Sequence, residues 1–178
     1  RAQVALIIRK ELVKQGMLAA KGTWRLMINA SHDISVVEFV KMMPYLTGGE
    51  RSDICIASRG VRGTRIKPQL PALRRLTEWC LNRFARAVLR LSIRDFQLGF
   101  HCFSREAAEL IFPFVRSVNP HYALEAVALA ERAGLRVKEI PVFASLSRAS
   151  YVRGVEYLQL FWETIILRSR LQSTVAAL

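Results

Sequence analysis

Apolar positions along the chain come in two spacings. In short stretches such as "TWRLMI" and "ICIAS" they run almost unbroken; in longer ones such as "QVALIIRKELVKQGMLAAKG" they recur between charges at helical intervals. The first pattern predicts short strands buried on both faces, the second amphipathic helices. The opening stretch reads as a helix closed by Gly22, followed by a strand in "TWRLMINA". "SVVEFVKMMPYL" has helical spacing, with Ser35 as N-cap and Glu38 as its capping-box partner. "ICIAS" is a second strand, and "RGVRGTRIKPQLP" a basic loop broken by glycine and proline. A long helix is expected over 72–91, then a loop leading into a strand in "DFQLGFHCFS". "REAAELIF" and "HYALEAVALAERAG" read as helices, the second stopped by Gly134. "LRVKEIPVFA" reads as a strand with an edge or bulge at Pro141, and a last helix runs over about 151–170. Helices alternating with short strands predict an α/β fold with a largely parallel sheet.

Composition sharpens this only in part. The chain has 178 residues, one domain's worth, and at 52% hydrophobic it is too apolar to be disordered. Lys and Arg number 27 against 14 acids, a net charge of +13 that favours phosphate, nucleic acid or an anionic membrane surface. Cys55, Cys80 and Cys102 form no Cys-x-x-Cys or Cys/His pattern, so reduced, buried thiols are expected and a zinc site is not. No apolar run reaches the roughly 18–20 residues of a spanning helix, and no signal peptide is visible. The chain starts at Arg1 and is read as a processed product or a fragment.

Four constellations carry candidate chemistry. "MINASHDIS" ends a strand in Asn29, Ser31, His32, Asp33 and Ser35, which either hold a metal or phosphate or cap the next helix. Segment 59–94 holds ten Arg and Lys residues and one acid, Glu78. In it, the loop residues Arg59, Arg62 and Arg65 are the better phosphate ligands; Arg83, Arg86 and Arg90 fit a solvated helix face equally well. Asp95 and Gln97 precede Gly99, where the backbone must approach something closely. Asp95 fits a general base or metal ligand and also a structural salt bridge, the commoner outcome. His101 reads as a strand residue and His121 as a cap. In the last helix Val155, Leu158, Trp162 and Ile165 share one stripe, with Tyr157 and Phe161 widening it. Such a helix suits a membrane surface, a subunit interface or a core.

The order of these motifs resembles the family 2 glycosyltransferases of the GT-A fold, in particular their dolichyl-phosphate glucosyltransferase and dolichyl-phosphate mannose synthase branch. "VKQGMLAAKGTWRLMINASHDIS" is similar to the family's Gly-Met-x-x-Ala-Arg-Gly helix and the strand ending in its Asp-x-Asp turn. "SDICIASRG" resembles Asp-Ile-Val-x-Gly-Ser-Arg, and "RDFQLGFHCFSREAAELIF" resembles Arg-Asp-Thr-Gln-Cys-Gly-Phe-Lys-x-Phe-x-Arg. "YALEAVALAERAGLRVKEIPV" is similar to the helix and Glu-x-Pro-Val strand that follow, so the likeness covers about residues 10–167. The resemblance implies transfer of a sugar from a nucleotide diphosphate to a polyprenyl phosphate at a membrane. It implies Arg59 with Arg74 or Arg75 on the acceptor phosphate, Asp95, Gln97 and Glu125 at the catalytic positions, and Asp33 as the remnant of a metal site.

The departures gather on the donor side. Ser31 stands where the first acid of Asp-x-Asp should be, a poor exchange for Mg²⁺ or Mn²⁺, which want carboxylate oxygens. Ile8, Arg9 and Lys10 replace the Gly-Lys-Gly loop, Ala149, Ser150 and Tyr151 the Gly-Ser-Lys turn, and the nucleotide-binding first strand is absent. The expectation is therefore an N-terminally truncated GT-A-like domain at 1–150 and an amphipathic interface helix at 151–178, with Tyr157, Phe161 and Trp162 on its surface. Functionally it is a degenerate accessory subunit of a larger membrane-associated or RNA-containing complex, partnered by protein subunits, with no cofactor. The alternative is an active polyprenyl-phosphate glycosyltransferase using Mg²⁺ or Mn²⁺; a basic RNA-binding module comes third. The resemblance implies an intracellular, membrane-associated location, at the endoplasmic reticulum or in an organellar complex such as a mitochondrial one.

Overall fold

A computed structural model of the chain describes residues 12–29, 33–49, 51–117, 121–145 and 154–174. Ile8, Arg9, Lys10, Ser31, His32, Ala149, Ser150 and Tyr151 lie outside the described residues. The elements run α1 Leu12–Ala19, β1 Trp24–Ile28, a 3-10 helix Val36–Lys41, α2 Met43–Thr47, β2 Ile54–Ala57, β3 Arg65–Lys67 and α3 Ala72–Leu89. After these come β4 Phe100–Ser104, α4 Arg105–Ile111, α5 Tyr122–Arg132, β5 Val137–Ile140, β6 Phe143–Ser145 and α6 Gly154–Thr174.

Four strands form the main sheet in the order β1-β4-β2-β5. β1, β2 and β5 share one direction, as a parallel α/β sheet requires. β4 runs against them between β1 and β2, so two of the three ladders are antiparallel and the sheet is mixed. All five residues of β4 are buried, because it is central and covered on both faces. On one face Met27, Ile54, Ile56 and Phe103 meet α1, α3, α4, α5 and α6. On the other, Leu26, Cys55, Phe100 and Cys102 meet α2 and the second sheet, β3 paired with β6. The architecture is mixed α/β, a sheet flanked by helices, compatible with a Rossmann-like glycosyltransferase fold.

Several expectations are revised by packing. "SVVEFVKMMPYL" breaks into a 3-10 helix and a short α-helix with Pro44 in the first turn of the second, and Val36, Val37 and Val40 face solvent. The capping box is not formed. Ser35 does accept from the Val37 N–H at 3.3 Å, but Glu38 turns to Lys41 and to the Phe143 N–H at 2.9 Å. "LRVKEIPVFA" divides at Pro141 into two strands in different sheets, since a proline nitrogen cannot donate to a ladder. α3 stops at Leu89 with Arg90 left-handed at φ 58°, while α5 stops as expected at Gly134, φ 74°.

Cys55 and Cys102 are cross-strand partners, and burial pushes the Cys55 thiol up to about 12, so both behave as small core hydrophobes. His101 shares the helix-covered face with Phe103 and is fully buried. Burial lowers its pKa from 6.5 to about 4. Above pH 6.5 the ring is neutral folded or unfolded. As pH falls from 6.5 through about 4, the unfolded chain takes up a proton that the core refuses, and stability drops by up to about 3 kcal/mol. His101→Leu is expected to flatten the melting temperature across that window in thermal circular dichroism; an unchanged acid limb would refute this account.

Candidate functional site: an arginine-lined cavity

β2 ends at Ala57, and Arg59 follows two residues later. There its guanidinium is enclosed by carboxylates. Nε donates to Asp95 Oδ2 at 2.6 Å and Nη2 to Asp95 Oδ1 at 2.7 Å, a bidentate fork. Nη2 also donates to Gln97 Oε1 at 2.7 Å, and Nη1 to Glu78 of α3. The Arg59 backbone N–H donates to Asp95 as well, at 2.9 Å. Arg74, one turn before Glu78 on α3, donates to Glu78 Oε1 at 2.9 Å, and Tyr157 of α6 reaches the same oxygen at 3.4 Å.

The electrostatics follow from this enclosure. Burial alone would push the Asp95 carboxyl up, but the charge and hydrogen bonds of Arg59 hold it below the usual carboxylate range. Burial opposes the charge on Arg59 too, and Asp95 and Glu78 more than restore it. A carboxylate so tightly held is a poor general base at neutral pH. As placed, Asp95 and Arg59 form a structural ion pair, and the guanidinium expected on the acceptor phosphate is already engaged.

Beside this cluster lies a cavity of about 540 Å³, walled by the loop after β2, by α3 and by the segment before β4. Its lining holds five arginines, Arg59, Arg75, Arg83, Arg86 and Arg94, against two carboxylates, Glu78 and Asp95, both already paired. The surplus is positive. Gly60 forms part of the wall because a Cβ there would meet the Arg94 Cβ at 2.5 Å, and Arg94 donates to the Gly60 carbonyl at 3.1 Å. Arg86 Nε and Asn82 Oδ1 are buried at the cavity with no hydrogen-bond partner among the described residues. Apolar lining comes from Ile66, Leu70 and Trp79. Such a chamber can hold an anionic head joined to an apolar tail.

The expected site residues divide accordingly. Arg59, Arg75 and Asp95 line the cavity; Arg74 is turned to Glu78 instead. The loop residues Arg62 and Arg65 point to solvent, whereas Arg83 and Arg86 of the helix face the chamber. Helical spacing carries the missed signal: residues 75, 79, 82, 83 and 86 fall on one side of α3. Gln97 holds Arg59. Glu125, buried in α5, accepts the backbone N–H groups of Arg116 at 2.9 Å and Ser117 at 2.6 Å, and so ties down a loop away from the cavity lining. Gly99 does meet a close neighbour: a Cβ there would fall 2.0 Å from the Asn29 side chain. Of the interface residues, Tyr157 is buried on Glu78, Phe161 packs edge-on against Phe84 at 4.9 Å, and Trp162 is exposed.

At the expected metal turn Ser31 and His32 lie outside the described residues. Asp33 is its single described carboxylate, and its backbone carbonyl accepts the Ser145 N–H at 2.6 Å, fixing the turn to β6. Asn29 is engaged by Gly99 and by the Tyr122 hydroxyl. Among the described residues no three His, Cys, Asp or Glu groups converge.

No family model matches the chain. It is 27% identical over 134 residues to a dolichyl-phosphate beta-glucosyltransferase of Dictyostelium discoideum, covering 73% of this chain and 41% of that protein. Over 72 residues it is 39% identical to the glycosyltransferase AglD of Haloferax volcanii, covering 40% of this chain and 12% of that one. The chain is a distant relative of glycosyltransferases. An uncharacterised protein of Methanocaldococcus jannaschii is 29% identical over 109 residues, covering 61% of this chain and 44% of that protein. This glycosyltransferase-like chain therefore spans less than half the length of each relative.

Asp95→Asn is expected to cost about 3–5 kcal/mol in urea unfolding, because it leaves a buried guanidinium half-paired. Arg75→Ala, at the rim, should stay within about 0.5 kcal/mol of wild type. Equal costs for the two would contradict this division between structural and available arginines.

Proposed function

We propose that the chain is a family 2-like glycosyltransferase domain that binds a polyprenyl phosphate in the arginine-lined cavity and acts as an accessory subunit without transferring sugar itself. The observation that carries the reading is the chamber's surplus of guanidinium groups after Arg59 has neutralised Asp95 and Glu78. Arg75, Arg83, Arg86 and Arg94 are the groups for the phosphate, and Ile66, Leu70 and Trp79 for the first isoprene units. The dolichyl-phosphate specificity in one relative's name agrees with that ligand. The accessory role rests on the donor turn, where Ser31 replaces an acid and Asp33 is left as the turn's one carboxylate.

A second reading is an active transferase whose donor groups come from sequence beyond this chain. The named relatives, each matched over less than half of its own length, favour it. Under that reading Mg²⁺ or Mn²⁺ would neutralise the donor diphosphate, and the present residues would position the acceptor.

Titration calorimetry in neutral detergent separates the readings. Farnesyl phosphate is expected to bind without metal, farnesol not to bind, and the Arg75→Ala/Arg86→Ala double variant to lose about tenfold or more in affinity. Absence of farnesyl phosphate binding would sink the cavity assignment. With Mn²⁺ and a UDP- or GDP-sugar no heat is expected, and micromolar metal-dependent binding would establish the enzyme reading. Ser31→Asp alone should not produce turnover.

A further inference from the structure

The segment between α3 and β4 carries Arg94, Asp95 and Gln97 but belongs to no helix or strand. No ladder receives its backbone N–H groups, so they need acceptors from elsewhere. Carboxylates supply them. Glu131, in the last turn of α5, accepts the Ser92 N–H at 2.9 Å, the Ile93 N–H at 3.2 Å and the Ser92 hydroxyl. Glu139 of β5 accepts the Arg94 N–H at 2.9 Å and the Asp95 N–H at 3.1 Å, both on Oε1. Four successive N–H groups, 92–95, are thus received by two side-chain anions. Acids are scarce in this chain, 14 against 27 Lys and Arg. Yet among the described residues neither Glu131 nor Glu139 forms a salt bridge. Both are spent on the backbone.

We infer that Glu139 is a positioning residue of the cavity, fixing the Arg94 backbone so that this guanidinium is held at the chamber wall to receive an anion. The inference rests on the lipid-phosphate reading of the chamber and deepens it. Arg94 is fixed from a second direction as well. Its Nη1 donates to the Gly60 carbonyl at 3.1 Å, and a Cβ on Gly60 would meet the Arg94 Cβ at 2.5 Å. Held at the backbone by Glu139 and along the side chain by Gly60, Arg94 has little rotamer freedom left to lose when a ligand arrives. Arg75, exposed on α3, has no such hold.

The sign of the effect separates positioning from charge. As a charge alone, Glu139 opposes an anionic ligand, and its removal would tighten binding. As a positioning residue it favours the ligand, and its removal weakens binding. Glutamine keeps an oxygen acceptor and drops the charge, whereas aspartate keeps the charge and withdraws the oxygen.

Titration calorimetry with farnesyl phosphate in neutral detergent reads that sign, at a temperature where circular dichroism shows each variant folded. Glu139→Ala and Glu139→Asp are each expected to lose about fivefold or more in affinity, and Glu139→Gln to stay within about twofold of wild type. On an Arg94→Ala background Glu139→Ala should cost nothing further, while on an Arg75→Ala background its cost should be undiminished. Unchanged or tighter binding by Glu139→Asp, or equal costs of Glu139→Ala with and without Arg94, would overturn the positioning role and leave the cavity assignment standing. A wild-type chain that does not bind farnesyl phosphate would remove the cavity assignment and this inference with it.

Discussion

Arg59 stands where three parts of the chain meet. Its guanidinium carries the end of β2, holds the segment before β4 through Asp95 and Gln97, and holds α3 through Glu78, which in turn receives Tyr157 of α6. Burying two carboxylates is unfavourable unless each finds a cation and further donors. Asp95 finds them in the Arg59 fork and in the N–H groups of Arg59 and Gln97. The cluster thus ties α3 to the ends of the two central strands, β2 and β4, and the cavity lies beside it.

The same interaction decides which arginines face the chamber with unbalanced charge. A guanidinium with two carboxylates on it contributes little net field outside, so the positive potential in the chamber comes from Arg75, Arg83, Arg86 and Arg94. Only Arg75 among them was marked by resemblance as a phosphate ligand. A motif locates a segment, whereas the charge balance around each member determines what that member can bind.

The parts of the fold that were legible in the sequence are those where burial is two-sided or a stop is steric. β2 shows as an unbroken apolar run and β1 as one interrupted only by Arg25, because both their faces are covered, and Gly134 shows because a positive φ favours it. What was not legible depends on partners distant in sequence. Nothing local tells that Glu38 prefers the Phe143 N–H, 105 residues away, to its own helix start. β3 is three residues of alternating basic character that become a strand only against β6. On α6 the periodicity revealed an apolar stripe but not its direction; α3 and α5 took Tyr157, Leu160 and Leu167, and the more conspicuous stripe was left outside. The sequence left Asp95 open between base and ion pair, and its fork to Arg59 comes from a residue 36 positions earlier.

The two sides of the molecule differ in how far they depend on side-chain identity. The turn around Asp33 is held through its backbone, by the Ser145 N–H on the Asp33 carbonyl and by the bridge between Ile34 and Ala144. Backbone bonds of this kind survive most substitutions, so an acid in that turn can be lost with little effect on the fold. The cluster around Arg59 has no such freedom, since removing Asp95, Arg59 or Glu78 disrupts a buried charge network. A chain no longer selected for donor chemistry would therefore lose its metal ligands first and keep its arginine cluster for reasons of stability alone. By itself, then, retention of Asp95 is weak support for catalysis. Arg75 and Arg83, exposed residues of the cavity lining with no part in that ion-pair cluster, are the arginines whose retention stability would not explain.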